Sequence, residues 1–239
     1  MEGSGVRRVL LVGSSFVVRF EREYVAGVRG WSQFNVDGCP VDFVGVCGVK
    51  VRNLRRLVMA KLTHYPRGYY SVCVVVVGSN DLCSSCRTPD AVARDLHSFA
   101  SALVNEHGIE KVAVFQLLHR LKRNRHMEML LSEYNKRIDL ANERLQSCCA
   151  DSMPTWLSVL FWAHDRRVLQ GRSIQKDGTH LSRYGHTFFA RSVIRCISGL
   201  VQPEGHIIRK KRTNKSNAKR KNKKRKNQRK RAKRAKTTE

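Results

Sequence analysis

No apolar run in the 239-residue chain approaches the roughly 18 residues that a membrane-spanning helix needs. A span of that kind is therefore not expected. A secretory leader also lacks its parts. The apolar run after Arg7 and Arg8 is broken by Gly13, Ser14 and Ser15, Arg19 and Glu21 come soon after, and no small-x-small cleavage pattern follows. The run reads better as a first buried strand. Disulfide spacing is missing as well. The eight cysteines stand at 39, 47, 73, 83, 86, 148, 149 and 196. Cys73 lies inside the apolar VCVVVV and Cys148 adjoins Cys149, a pattern that fits a reduced, intracellular setting. Cys83 and Cys86 form a lone C-x-x-C without the second ligand pair a structural zinc site carries, so no metal site is expected. Internal repeats are absent.

Acidic residues are scarce, 19 against 46 Lys and Arg, for a formal net charge of +27. The excess is concentrated at one end. Between Arg209 and Glu239, 18 of 31 residues are Lys or Arg and Glu239 is the only acid, a local charge of +17. This stretch has almost nothing to bury and is expected to be disordered alone. It also lacks the apolar anchors of a membrane-surface helix. The chain thus divides into a body, residues 1–202, and a linker with basic tail, residues 203–239. In the tail, Arg209, Lys210, Lys211, Arg212, Lys219, Arg220, Lys221, Lys223, Lys224, Arg225, Lys226, Arg229, Lys230, Arg231, Lys233 and Arg234 form three clusters. Such clusters neutralise the phosphates of RNA or DNA without sequence specificity. They also have the character of a nuclear or nucleolar address. A merely solvated tail is the other reading, but this charge density attracts polyanions at cellular salt.

The body has the length and apolar content for one sizeable core. Five short apolar runs stand out: RVLLVG (8–13), VDFVGV (41–46), SVCVVVVG (71–78), KVAVFQLL (111–118) and LSVLFWAH (157–164). The first, third and fourth are nearly continuous, as strands buried on both faces of a parallel sheet are. Helical patterns lie between them. One has Thr88 as cap, Pro89 in the first turn, Val92, Leu96, Phe99 and Leu103 on one face, and Gly108 as stop. A second spans 126–147, with Leu130, Tyr134, Ile138, Ala141 and Leu145 inward. A third spans 181–200, with Phe189, Val193 and Ile197 inward. This alternation predicts a doubly wound α/β domain with its cleft at the carboxyl ends of the strands.

Those strand ends carry chemistry. The first ends in Gly13-Ser14-Ser15. The second is followed by Gly45 and Gly48, the third ends in Gly78-Ser79-Asn80-Asp81, and the loop after the fifth ends in Asp177-Gly178-Thr179-His180. Alone, Ser15 reads as a helix cap and GSND as a turn. Together they supply the parts of a serine acyl-transfer site: a weak nucleophile, a base, an acid three residues before that base, and donors for an oxyanion. G-x-S-x-G is absent because residue 17 is Val, which argues against the α/β-hydrolase elbow. Lys50, Arg52, Arg55 and Arg56 follow Gly48 and read either as a basic cleft rim or as an outer helix face. His119, His126, His164 and His186 read as surface or packing residues, Trp31, Trp156 and Trp162 as core or site-wall aromatics, and Asp165 as half of a surface ion pair.

VGSSF, the glycine of VCGVKV, VGSND and DGTH resemble, in order, the four blocks of the SGNH-hydrolase superfamily, the GDSL-type esterases and lipases. The resemblance spans residues 7 to 200. The stretch from VLFWAH to DGTHLSRYGHTFFARSV is also similar to esterase-like proteins linked to animal mobile elements. The resemblance implies a three-layer α/β/α sandwich on a five-stranded, mostly parallel, flavodoxin-like sheet. It implies Ser15 as nucleophile and first oxyanion donor, Gly48 (with Gly45 the alternative) and Asn80 as further donors, and Asp177 and His180 as acid and base. The implied substrate is an ester, with no cofactor. One position departs. The family often has Gly-Asp-Ser-Leu, and Ser14 stands where that aspartate scaffolds the oxyanion loops. Ser14 can hydrogen-bond but supplies no charge.

Overall fold

Val9, Leu10, Leu11 and Val12 are apolar on both faces of an extended segment. All four are buried in the computed structural model, which describes residues 7–26, 34–151 and 158–202. They open β1 (Val9–Gly13), an inner strand of a six-stranded sheet. The others are β2 (Asn35–Val36), β3 (Cys39–Gly45), β4 (Val72–Val76), β5 (Lys111–Phe115) and β6 (Val159–Trp162), in the order β2-β3-β1-β4-β5-β6. The five expected strands run parallel, and β2 adds a short antiparallel edge to β3. Asp37 and Gly38, at φ 51° and 81°, turn that hairpin, in the left-handed pair that a two-residue loop with matching twist requires.

Alternate residues of the inner strands serve two cores. Leu10, Val12, Cys73 and Val75 pack beneath α2 (Val51–Leu62), α3 (Pro89–His107) and α4 (Leu131–Asp151). Val9, Leu11, Val74 and Phe115 pack against α1 (Ser15–Arg19) and α5 (Arg183–Val201). This is a three-layer α/β/α sandwich. A fully buried Leu, Ile or Phe contributes about 1.5–3 kcal/mol, and the expected stripes of α3 and α5 are all buried.

The capping signals of α3 are realised. The Thr88 hydroxyl accepts from the Ala91 N–H, and Gly108 takes φ 68° at the far end. The second expected helix starts late, at Leu131 rather than 126. Residues 127–129 instead run against the segment after Asn80, burying Met127 and Met129 while the Glu128 N–H donates to the Cys83 carbonyl at 3.0 Å. Leu130 is consequently exposed, whereas Tyr134, Ile138, Ala141 and Leu145 face inward as expected.

The strand exits are level. Gly13 pairs with Gly45 on one side and Val76 on the other. From β1 the chain moves to β3 on one side and then crosses to β4 on the other, so the crevice above β1 is the switch point where such sheets bind ligands.

Candidate active site

Backbone bonds set the turn at Ser15. The Ser14 N–H donates to the Val76 carbonyl at 3.0 Å, and the Ser14 carbonyl accepts from the Val17 and Val18 N–H groups at 2.9 and 3.3 Å. No side chain caps α1. Ser15 is therefore the first helical residue at the exit of β1, and its hydroxyl is available for other work. The Ser15 Oγ lies 3.1 Å from His180 Nε2, and His180 Nδ1 lies 2.7 Å from Asp177 Oδ2. The ring of Phe16 flanks the imidazole.

The loop carrying Asp177 and His180 is bound from both sides. The Gln175 N–H donates to the His180 carbonyl at 2.7 Å and the Leu121 N–H to the Gly178 carbonyl at 2.7 Å. Gly178 has φ 74°, and a Cβ there would lie 2.5 Å from the Lys122 nitrogen. Only glycine meets both conditions. Asp177 Oδ1 accepts the N–H groups of Thr179 and His180 at 2.8 and 2.9 Å. Burial alone would raise the Asp177 carboxyl, but these donors and the imidazole outweigh it and bring the pKa down to about 2. A carboxylate ionised at neutral pH only accepts hydrogen bonds. It therefore holds the imidazole proton on Nδ1 and leaves Nε2 to accept from the Ser15 hydroxyl.

Gly48 lies three residues beyond the end of β3 with φ 70°, and space is open where a Cβ would stand. Among the described residues, no group bonds to the N–H of Ser15 or of Gly48. Gly45 has a different place. It lies inside β3, where an added Cβ would meet the Val18 nitrogen of α1 at 2.9 Å. Asn80 Nδ2 donates to the Val49 carbonyl at 3.2 Å, and Asn80 Oδ1 accepts from Arg120 Nη2 at 3.1 Å. Gly48 and Asn80 share one groove of about 720 Å³ with Lys50, Asn124, Arg125 and His126. Of the four basic residues after Gly48, only Lys50 lines it. Arg55 bonds Ser98 on α3, and Arg52 and Arg56 are exposed.

Two further residues, Asp81 of the GSND block and Arg120, brace the site though the sequence assigns neither a role. Asp81 is buried and accepts the Val51 N–H with both carboxylate oxygens, at 3.3 and 3.1 Å, capping α2. Burial lifts its pKa to about 6 against that bond and the charges of Arg87 and Lys50. Arg120 comes from the loop after β5 and is 4% exposed. Nothing in the local pattern of either residue signals the contact it makes, which is 30 residues away for Asp81 and 40 for Arg120.

Ser14, where GDSL-type esterases often have aspartate, is buried. It lines a small cavity of about 10 Å³ with Phe16, Val76, Phe115, Leu118 and His164. Burial pushes His164 down to about 4, against a hydrogen bond with the main chain of Gln116. His119 is exposed and pairs with Asp139 at 2.7 Å. Asp165 pairs with Arg195 at 3.4 Å. Among the described residues, no group of three His, Cys, Asp or Glu side chains is placed to hold a metal, and no helix is long and apolar enough to cross a membrane. Trp31, Trp156 and the tail residues lie outside the described residues.

Known structures share this architecture. A GDSL-like lipase from Bacteroides thetaiotaomicron superposes with a TM-score of 0.63 at 15% identity, covering 81% of this chain and 88% of that one. The lipase/acylhydrolase from Enterococcus faecalis gives 0.55 at 18% identity, over 83% and 99%. A carbohydrate esterase family 3 protein from Talaromyces cellulolyticus gives 0.58 at 16% identity, over 82% and 98%. No protein-family model and no curated protein matches the sequence. The chain has the α/β/α fold of the SGNH-hydrolase superfamily.

Proposed function

We propose that the body is a serine hydrolase that cleaves an ester. The hydrogen-bonded chain Ser15–His180–Asp177 at the strand exits of this fold carries the reading, and the lipase and esterase names of the structural neighbours point the same way. His180 Nε2 takes the Ser15 proton as Oγ attacks the ester carbonyl carbon. The resulting oxyanion takes the N–H groups of Ser15 and Gly48 and the free amide hydrogen of Asn80, each such donor being worth about 2.7–4 kcal/mol. His180 then protonates the departing alcohol, leaving an acyl-Ser15. A water deprotonated by His180 attacks that acyl group and releases the acid. Asp177 holds the tautomer and stabilises the imidazolium.

The test is labelling by a fluorophosphonate. Wild type and Ser14→Ala should react and Ser15→Ala should not. Labelling that survives Ser15→Ala but is lost in Ser14→Ala rejects the assignment.

The second reading concerns the tail, whose 18 Lys and Arg in 31 residues favour it. It binds RNA or DNA and directs the protein to the nucleus or nucleolus. Affinity for a nucleic acid should fall steeply with salt in the full chain and drop sharply in a chain ending at Gln202. Unchanged affinity after truncation rejects the tail as the binding element. If the body were instead a non-catalytic scaffold for that binding, as in a mobile-element protein, Ser15→Ala would leave any turnover of a simple acyl ester untouched.

A further inference from the structure

Arg120 is buried, and its charge has no counter-ion among the described residues. Its Nη1 has no hydrogen-bond partner and no carboxylate pairs with it among the described residues, while the neutral thiol of Cys83 lies against the guanidinium. An arginine kept only for packing is better replaced by an apolar side chain of similar volume, because burying an unpaired charge is costly. Here the guanidinium is held in place from several directions. Its main-chain N–H and carbonyl are bonded by Asn135 at 3.0 and 2.9 Å. Its guanidinium carbon lies 4.9 Å from the centre of the Tyr134 ring, and the Tyr134 hydroxyl donates to the Ser79 carbonyl at 3.0 Å. The fork thus has one orientation, and in it Nη2 meets Asn80 Oδ1 at 3.1 Å.

The consequence falls on Asn80. A guanidinium has only donors, and the Val49 carbonyl on the other side of the amide has only acceptor sites. Reversing the Asn80 amide would put its NH₂ against Nη2 and its oxygen against the Val49 oxygen, so both bonds would be lost. One amide hydrogen goes to Val49, and the other is left for the groove that Asn80 shares with Gly48. A cation on the amide oxygen also polarises the amide and makes that hydrogen a stronger donor. We infer that Arg120 is a positioning residue for the oxyanion site, orienting Asn80 and supplying a preset positive charge that the transition state's oxyanion compensates. The inference rests on the ester-hydrolase reading above.

The test is a double-mutant cycle on an acyl ester such as 4-nitrophenyl acetate, with melting temperature as a folding control. Arg120→Met should lower kcat by about tenfold to a hundredfold while KM moves less than about twofold, since the interaction strengthens only in the transition state. Asn80→Ala alone should lower kcat by about a hundredfold or more. Adding Arg120→Met to Asn80→Ala should then cost little more, because Arg120 acts through Asn80. Arg120→Lys, which retains the charge without the planar fork, runs through the same cycle if the methionine variant does not fold. Unchanged kcat in whichever variant folds, or losses that simply multiply with Asn80→Ala, overturns the inference and leaves the hydrolase reading standing. A wild type with no Ser15-dependent turnover overturns both.

Discussion

Asp177→Asn tests the proposed chemistry with little change in shape. An asparagine can keep its Oδ1 on the Thr179 and His180 N–H groups, which the aspartate holds at 2.8 and 2.9 Å. Its Nδ2 then takes the place of the oxygen that sits 2.7 Å from His180 Nδ1. Two donors cannot share that distance, so the imidazole proton moves to Nε2, facing the Ser15 Oγ at 3.1 Å. The base is then lost because its accepting lone pair has moved to the wrong nitrogen. Wrong-tautomer substitutions of this kind lower kcat by about 10⁴-fold, roughly 5 kcal/mol of barrier. Turnover of 4-nitrophenyl acetate by both proteins measures the loss, with thermal melting to show that the loop survives. A variant that melts like wild type and keeps kcat within about tenfold would refute the argument. The pH dependence adds a check. The Asp177 pKa, near 2, lies below its ordinary 3.8, so its contribution to stability is complete above about 3.8 and lost only as pH falls toward 2. The margin in melting temperature of wild type over Asp177→Asn should therefore be held at pH 5 and shrink as pH falls toward 2.

Asp81 should behave in the opposite sense. Its folded pKa of about 6 lies above its ordinary 3.8, so its contribution is greatest below about 3.8 and declines as pH rises through 6, by roughly 3 kcal/mol. Chemical denaturation between pH 4 and 7.5 should show that decline in wild type and not in Asp81→Asn. An equal slope in both proteins contradicts the assignment. Gly178→Ala places a Cβ 2.5 Å from the Lys122 nitrogen at φ 74°, so the triad loop must shift. Esterase turnover should fall by tenfold or more for an ångström-scale displacement, and wild-type turnover would show that the loop tolerates a side chain. Ser14→Asp, which installs the residue GDSL-type esterases often have, puts a carboxylate among Phe16, Val76, Phe115, Leu118 and His164. It should lower the melting temperature by several degrees, as burial of an unpaired charge does. A higher melting temperature together with higher kcat would show that the pocket still accommodates the acid.

Strand runs and helix stops were legible because they are local. Val72–Val76 fits a strand buried on both faces, and Thr88, Pro89 and Gly108 mark both ends of α3. The four strand-end blocks were legible through their order. What escaped depends on contacts between segments distant in sequence. The hairpin of β2 is two residues long, too short for a period to show, and only Asp37-Gly38 betrays it. Leu130 fits a helical stripe, yet docking of Met127 and Met129 against the Asn80 side delays the helix past it. Gly45 and Gly48 look alike in a string of letters. Close approach of α1 explains the first, and a left-handed turn in open space describes the second.

Sequence alone therefore determined the doubly wound α/β layering, the concentration of basic charge in residues 209–239, and the set of residues from which a serine site could be built. These depend on local apolar periodicity, capping chemistry and charge density, which need no partner far along the chain. Tertiary structure decided that Ser15 and His180, 165 residues apart, stand within hydrogen-bond reach. It also placed the buried Arg120 against the Asn80 amide, 40 residues away. Both depend on strand order and on the level exits at Gly13, Gly45 and Val76, which only the packed sheet specifies.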